Sequence, residues 1–136
     1  MSEYRRLLLP RLFYLPLHAL EVENAARQKA FHQRRSLPSG EREQVTREKT
    51  AVLSRLKWMV ERGQFVEVAA DWENAALRAR ALSAKHTEST GARSLDLLHI
   101  AFALELGCEL FLTTDQCQAR LARAEGLKVV TIADED

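Results

Sequence analysis

The stretch that decides the fold spans residues 93–130, RSLDLLHIAFALELGCELFLTTDQCQARLARAEGLKVV. Ser94 is a natural N-cap for the helix LDLLHIAFALELG, and Gly107 suits its end. Before Glu105 the only polar positions of that helix are Asp96 and His99, so burial on most of its sides is expected. LFLTT follows as a buried strand, then a helix over residues 115–125 closed by Gly126, then a last strand over 127–132. Continuous apolar strands alternating with helices imply an α/β fold, a parallel β-sheet covered by helices on both faces.

Upstream, residues 12–17 are dense in apolar and aromatic side chains, which suits a buried strand. They run into LHALEVENAARQKAF, whose Leu20, Ala25 and Phe31 can share a helical face. SLPSG (36–40) is the clearest break, before a second helix over about 41–62 with Val45, Val52, Leu56 and Met59 at helical period and Gly63 as cap. Residues 18–62 therefore read as a helical hairpin. A short strand is expected at 65–68. Asp71 can then cap a helix to about Lys85 that buries Ala75 and Leu82, and TESTGARS (87–94) reads as a loop.

With 136 residues, 46% of them hydrophobic, the chain has the size and composition of one globular domain spanning 1–136. Five glycines and three prolines exclude collagen-like and low-complexity classes. The 20 Lys plus Arg nearly balance the 19 Asp plus Glu, giving a net charge of +1, so indiscriminate coating of nucleic acid is disfavoured. The balance hides an asymmetry. Residues 1–63 carry 13 basic and 7 acidic groups (+6), whereas 64–136 carry 7 and 12 (−5). Cys108 and Cys117 lack CxxC or His neighbours, which argues against zinc and redox motifs and for reduced thiols. The apolar stretch 7–20 is interrupted by Pro10, Arg11, Pro16 and His18, and nothing approaches the roughly 20 apolar residues of a membrane span. A cytoplasmic protein is expected.

In a parallel sheet, ligands bind outside the carboxyl ends of the strands. Glu21 lies just beyond the first strand, Asp96 in the first turn of the apolar helix, and Asp115 directly after LFLTT. Three hard carboxylates at one edge suit Mg2+, which can polarise a phosphodiester and activate water. Each also has a plain structural role open to it. Asp115 can be only an N-cap, Asp96 a dipole-favoured acid, and Glu21 a solvated helical residue. His99 can orient Asp96 or be a hydrogen-bonded core histidine. Thr113 can supply a hydroxyl beside the acids or be an ordinary β-branched strand residue, and Asn24 can orient Glu21 or lie on the helix surface.

Residues 93–130 resemble the C-terminal half of PIN-domain proteins, especially the VapC-type toxins of bacterial toxin-antitoxin pairs. The motifs LEVENA, RSLDLLHIA and FLTTDQ occur in the family's order, and the similarity covers nearly all of the chain from Leu15. The resemblance implies a PIN-like three-layer α/β/α domain and an Mg2+- or Mn2+-dependent endoribonuclease. It matches Glu21, Asp96 and Asp115 to three acids of the metal cluster, and Thr113 to a hydroxyl residue two places before the last acid. Asn24 matches an amide that accompanies the early Glu. Arg27, Lys29, Arg34 and Arg35 of the hairpin can hold the RNA backbone or form an ordinary solvated face. The expected partners are RNA, a cognate antitoxin and a second copy of the chain.

One feature departs from the family. PIN domains open with a central strand ending in an Asp, whereas here MSEYRRLLLPRLFY contains one acid, Glu3, ahead of any candidate strand. The chain thus reads as N-terminally truncated relative to the family, with its first metal acid missing. A truncated gene product, a start assigned too far downstream, and a strand supplied by another chain all account for this. A non-catalytic PIN-like binding module is the alternative to the nuclease. A phosphate-accepting receiver-like domain is disfavoured, because its early acidic pair and late strand-end lysine are missing.

Overall fold

The computed structural model describes residues 12–131, so the opening stretch through Arg11 and the expected strand residue Ile132 lie outside the described residues. The chain clusters into two units, Met1–Ala69 and Ala70–Asp136. In the first unit, strand β1 (Leu12–Tyr14) leads into helix α1 (Pro16–Ser36), then a 3-10 turn (Ser39–Glu41), helix α2 (Arg42–Glu61) and strand β2 (Phe65–Glu67). β1 is shorter than the expected 12–17 because Pro16 takes the first helical position, where its fixed φ is already helical and its missing N–H is not needed. Leu15 keeps an extended backbone as the N-cap and donates its N–H to His18 Nδ1 at 3.0 Å.

β1 and β2 pair in parallel, with Leu12 opposite Phe65 and Tyr14 opposite Glu67. Tyr14 is buried and stacks on Phe65 at 5.4 Å between ring centroids. Burial raises the pKa of its hydroxyl, with smaller contributions from Glu23 and Glu67. The hairpin buries little. Ala30 is the only buried residue of α1 and Val45 the only one of α2. The helices are joined by Arg34, whose guanidinium donates to Thr46 Oγ1 at 2.6 Å. Between them lies a groove of about 400 Å³ with Ala25, Ala26, Ala30 and Val45 in its lining and Lys29 and Lys49 among its polar members. Gly63 ends this segment at φ 72°, a backbone region that favours glycine.

The second unit holds helix α3 (Trp72–Thr90), helix α4 (Ser94–Glu105), strand β3 (Leu110–Thr113), helix α5 (Gln116–Ala124) and strand β4 (Lys128–Thr131). Asp71 caps α3 by accepting the Asn74 N–H at 3.0 Å. The segment TEST, expected in a loop, instead extends α3 to Thr90. Ser89 and Thr90 turn their hydroxyls back onto the His86 carbonyl, at 3.0 and 2.8 Å, and Gly91 closes the helix at φ 67°. Ser94 is not the N-cap of α4 but its first residue. Arg93 takes the cap position, and its N–H donates to Asp96 Oδ2 at 3.3 Å, the backward half of a capping box.

α4 is buried as its composition requires, with Leu97, His99, Ile100, Ala101, Phe102 and Ala103 all inaccessible. Leu97, Ile100, Ala101 and Ala103 pack with Leu82, Leu121 and Leu127 among others into one apolar cluster. Trp72 meets Phe102 edge-to-face at 4.7 Å. β3 and β4 pair in parallel, Leu110 opposite Lys128 through Thr113 opposite Thr131. Glu125 fastens the far ends of α3 and α5, lying 2.6 Å from His86 Nε2 and 3.0 Å from Lys85 Nζ. The His86 hydrogen bond, helped by Lys85, lowers the Glu125 pKa despite the opposing effect of burial.

The expected fold class holds, with helices in the majority and parallel strands. Among the described residues the strands pair as two ladders, β1 with β2 and β3 with β4. Cys108 and Cys117 are both free thiols, and burial raises the pKa of Cys108. Among the described residues, no helix is long and apolar enough to cross a membrane.

Candidate functional site

The carboxyl end of β3 is where the second unit gathers polar groups. The chain leaves the strand at Thr113 and enters α5 at Gln116, with Asp115 as the extended N-cap between them. Asp115 Oδ1 accepts the N–H groups of Cys117 at 2.7 Å and Gln118 at 3.0 Å, so its capping role is real. That role engages one oxygen. Among the described residues, Oδ2 accepts no hydrogen bond.

Thr113 is buried at the strand end, 8% exposed, and its hydroxyl works in both directions. It accepts the Asp115 N–H at 3.0 Å and donates to Gln118 Oε1 at 2.7 Å. The Gln118 amide then donates through Nε2 to Asp96 Oδ1, on α4, at 3.0 Å. Asp96 and Asp115, distant in sequence, are thereby connected through one glutamine, Asp96 by its side-chain amide and Asp115 by its backbone N–H. Both are hard oxygen donors, the type Mg2+ and Mn2+ prefer, so their chemistry fits a divalent cation.

Of the site residues expected from sequence, the structure brings together Asp96, Thr113 and Asp115. His99, one turn after Asp96, is buried at 7% exposure, in keeping with a core histidine. Glu21 and Asn24 belong to α1 of the other unit, where Glu21 is half-buried and Asn24 exposed. Among the described residues there is no group of three or more His, Cys, Asp or Glu placed to hold a metal ion. The basic residues of α1 have local roles. Arg27 pairs with Glu23 at 3.4 Å, Arg34 binds Thr46, Arg35 lies over the Phe31 ring at 5.6 Å, and Lys29 lines the groove.

Gln118 is the residue that reading the sequence missed. The signal was present as Asp115-x-x-Gln118, the spacing of a capping box. In that motif the glutamine reaches back to the cap residue's own N–H. Here the Thr113 hydroxyl takes that N–H, which leaves the Gln118 amide available to a different helix.

The sequence matches the PIN domain family over residues 2–124, and the chain belongs to that family. PIN domains form a nuclease-type superfamily and generally use divalent metal ions. The match includes Glu21, Asp96 and Asp115, and also the opening stretch that lacks an Asp. No curated protein and no solved structure shows a significant match to the chain.

Proposed function

We propose that the chain is a metal-dependent endoribonuclease of the VapC toxin type, cleaving RNA phosphodiesters with Glu21, Asp96 and Asp115 as its metal-binding acids. The observation that carries this reading is the pairing of Asp96 and Asp115 through Gln118 at the carboxyl end of a parallel strand. Asp96 and Asp115 would hold Mg2+ or Mn2+. Bound there, the cation supplies charge that polarises the phosphodiester and makes water a stronger nucleophile. The protein's own part is placement. Asp115 is fixed by capping α5, Asp96 by the Arg93 N–H and the Gln118 amide, and Thr113 orients that amide. Arg27, Lys29, Arg34 and Arg35 are proposed to meet the RNA backbone. A cognate antitoxin and a second copy of the chain are the proposed protein partners, and the cytoplasm the proposed compartment.

One observation favours a second reading, a PIN-like binding module without chemistry: the described carboxylates joined in the site number two, and the opening stretch offers no Asp. RNA incubated with the protein and Mg2+ or Mn2+ separates the two, run beside Asp96→Asn and Asp115→Asn. Asparagine caps a helix as well as aspartate does, so Asp115→Asn leaves α5 intact while removing the charge. The nuclease reading expects cation-dependent cleavage that drops by about 100-fold or more in both variants, since misplaced groups alone can cost that much. Cleavage that is absent, or indifferent to both substitutions, overturns it in favour of the binding module.

A further inference from the structure

We propose that Gln118 is a positioning residue that sets the Asp96 carboxylate relative to Asp115 for cation binding, with Thr113 fixing the direction of its amide. This rests on the reading above that the two acids hold a divalent cation. The hydrogen bonds run in one direction, from the Asp115 N–H to the Thr113 oxygen, from the Thr113 hydroxyl to Gln118 Oε1, and from Gln118 Nε2 to Asp96 Oδ1. Each donor determines the next. Because the Asp115 N–H occupies a lone pair of Thr113, the hydroxyl proton is free to point at Gln118. Because that proton needs an acceptor, the amide must present its oxygen to Thr113 and its NH2 to Asp96.

The path also closes on itself, since the backbone N–H of Gln118 donates to Asp115 Oδ1. One residue therefore contacts both carboxylates, one through its backbone and one through its side chain. An amide suits this task better than a carboxylate or an aliphatic group. A glutamate would set a like charge against Asp96, and a methionine would fill the space with no donor. Partners that orient metal ligands in this way contribute roughly 10- to 100-fold to metal affinity.

The test is Mn2+ binding to the full chain by isothermal titration calorimetry, with thermal melting in EDTA as the check on folding. Gln118→Met is expected to weaken Mn2+ binding by about 10-fold or more. Thr113→Val, which keeps the shape and removes the hydroxyl, is expected to weaken it likewise, while Thr113→Ser restores it. Thr113→Val carries the test if Gln118→Met does not fold. A double-mutant cycle identifies the route: in the Asp96→Asn background, Gln118→Met should cause no further loss, whereas a merely structural role gives additive losses. Wild-type affinity in Gln118→Met, or additivity in the cycle, overturns the role of Gln118 and leaves the metal reading standing. A wild-type chain that binds no Mn2+ overturns both.

Discussion

The two units of the chain are stabilised in opposite ways. The second surrounds α4 with apolar side chains, and Phe102 and Ile100 are each 1% exposed. In the first, two long helices bury one residue each beside the short β1–β2 ladder, their i,i+4 ion pairs lie exposed within single helices, and Arg34 bonds Thr46 across the pair. Large apolar side chains remain on its surface, Phe31, Val52 and Trp58 among them. Dense packing restricts motion, and thin packing with many exposed pairs does not. Asp96 and Asp115, joined through Gln118, are in the unit with the dense core, whereas Glu21 belongs to the hairpin. The hairpin offers surface instead, basic overall and partly apolar, suited to contact with other molecules.

The strongest way to break this contrast is in the core. Phe102→Ala is expected to destabilise the protein by about 4 kcal/mol in chemical denaturation. Val45→Ala, the corresponding truncation in the hairpin, should cost only about 1.5 kcal/mol by the area it uncovers. Equal losses would mean that the hairpin is as tightly packed as the second unit.

A smaller effect sharpens the contrast through pH. Glu125 has a lowered pKa in the folded protein, so its pairing with His86 and Lys85 contributes stability above the ordinary carboxylate range. That contribution is lost as pH falls through the lowered folded value. Glu125→Gln should therefore be less stable than wild type by about 1 kcal/mol near neutrality and equal to it in acid. A gap that persists at low pH would show that the tie does not depend on the charge. The smallest effect belongs to the hairpin surface. Arg27→Ala removes an exposed pair with Glu23 and should change stability by no more than about 0.5 kcal/mol.

Much of the fold was legible because its signals are local. Asp71 and Asp115 cap helices where they were expected to, and Gly63, Gly107 and Gly126 end their segments with positive φ. The apolar positions of α4, interrupted before Glu105 only by Asp96 and His99, required burial. The misjudged boundaries lie where two local rules compete. Ser89 and Thr90 read as loop formers but bonded back into the helix, and Pro16, read as part of the strand over 12–17, begins the helix instead. At the site, Asp96, Thr113 and Asp115 were legible as residue types at a strand end. Gln118 was not, since its role depends on a hydrogen bond across 22 positions of sequence.

The sequence by itself determined the elements, their order and the family, because periodicity, caps and motif order are properties of neighbouring residues. It also determined the asymmetry of charge between the two halves. Only the tertiary structure decided which acids are joined and through what. A glutamine at a capping-box position has several acceptors and donors within reach, and the packing of α4 beside α5 selects Asp96 as its partner.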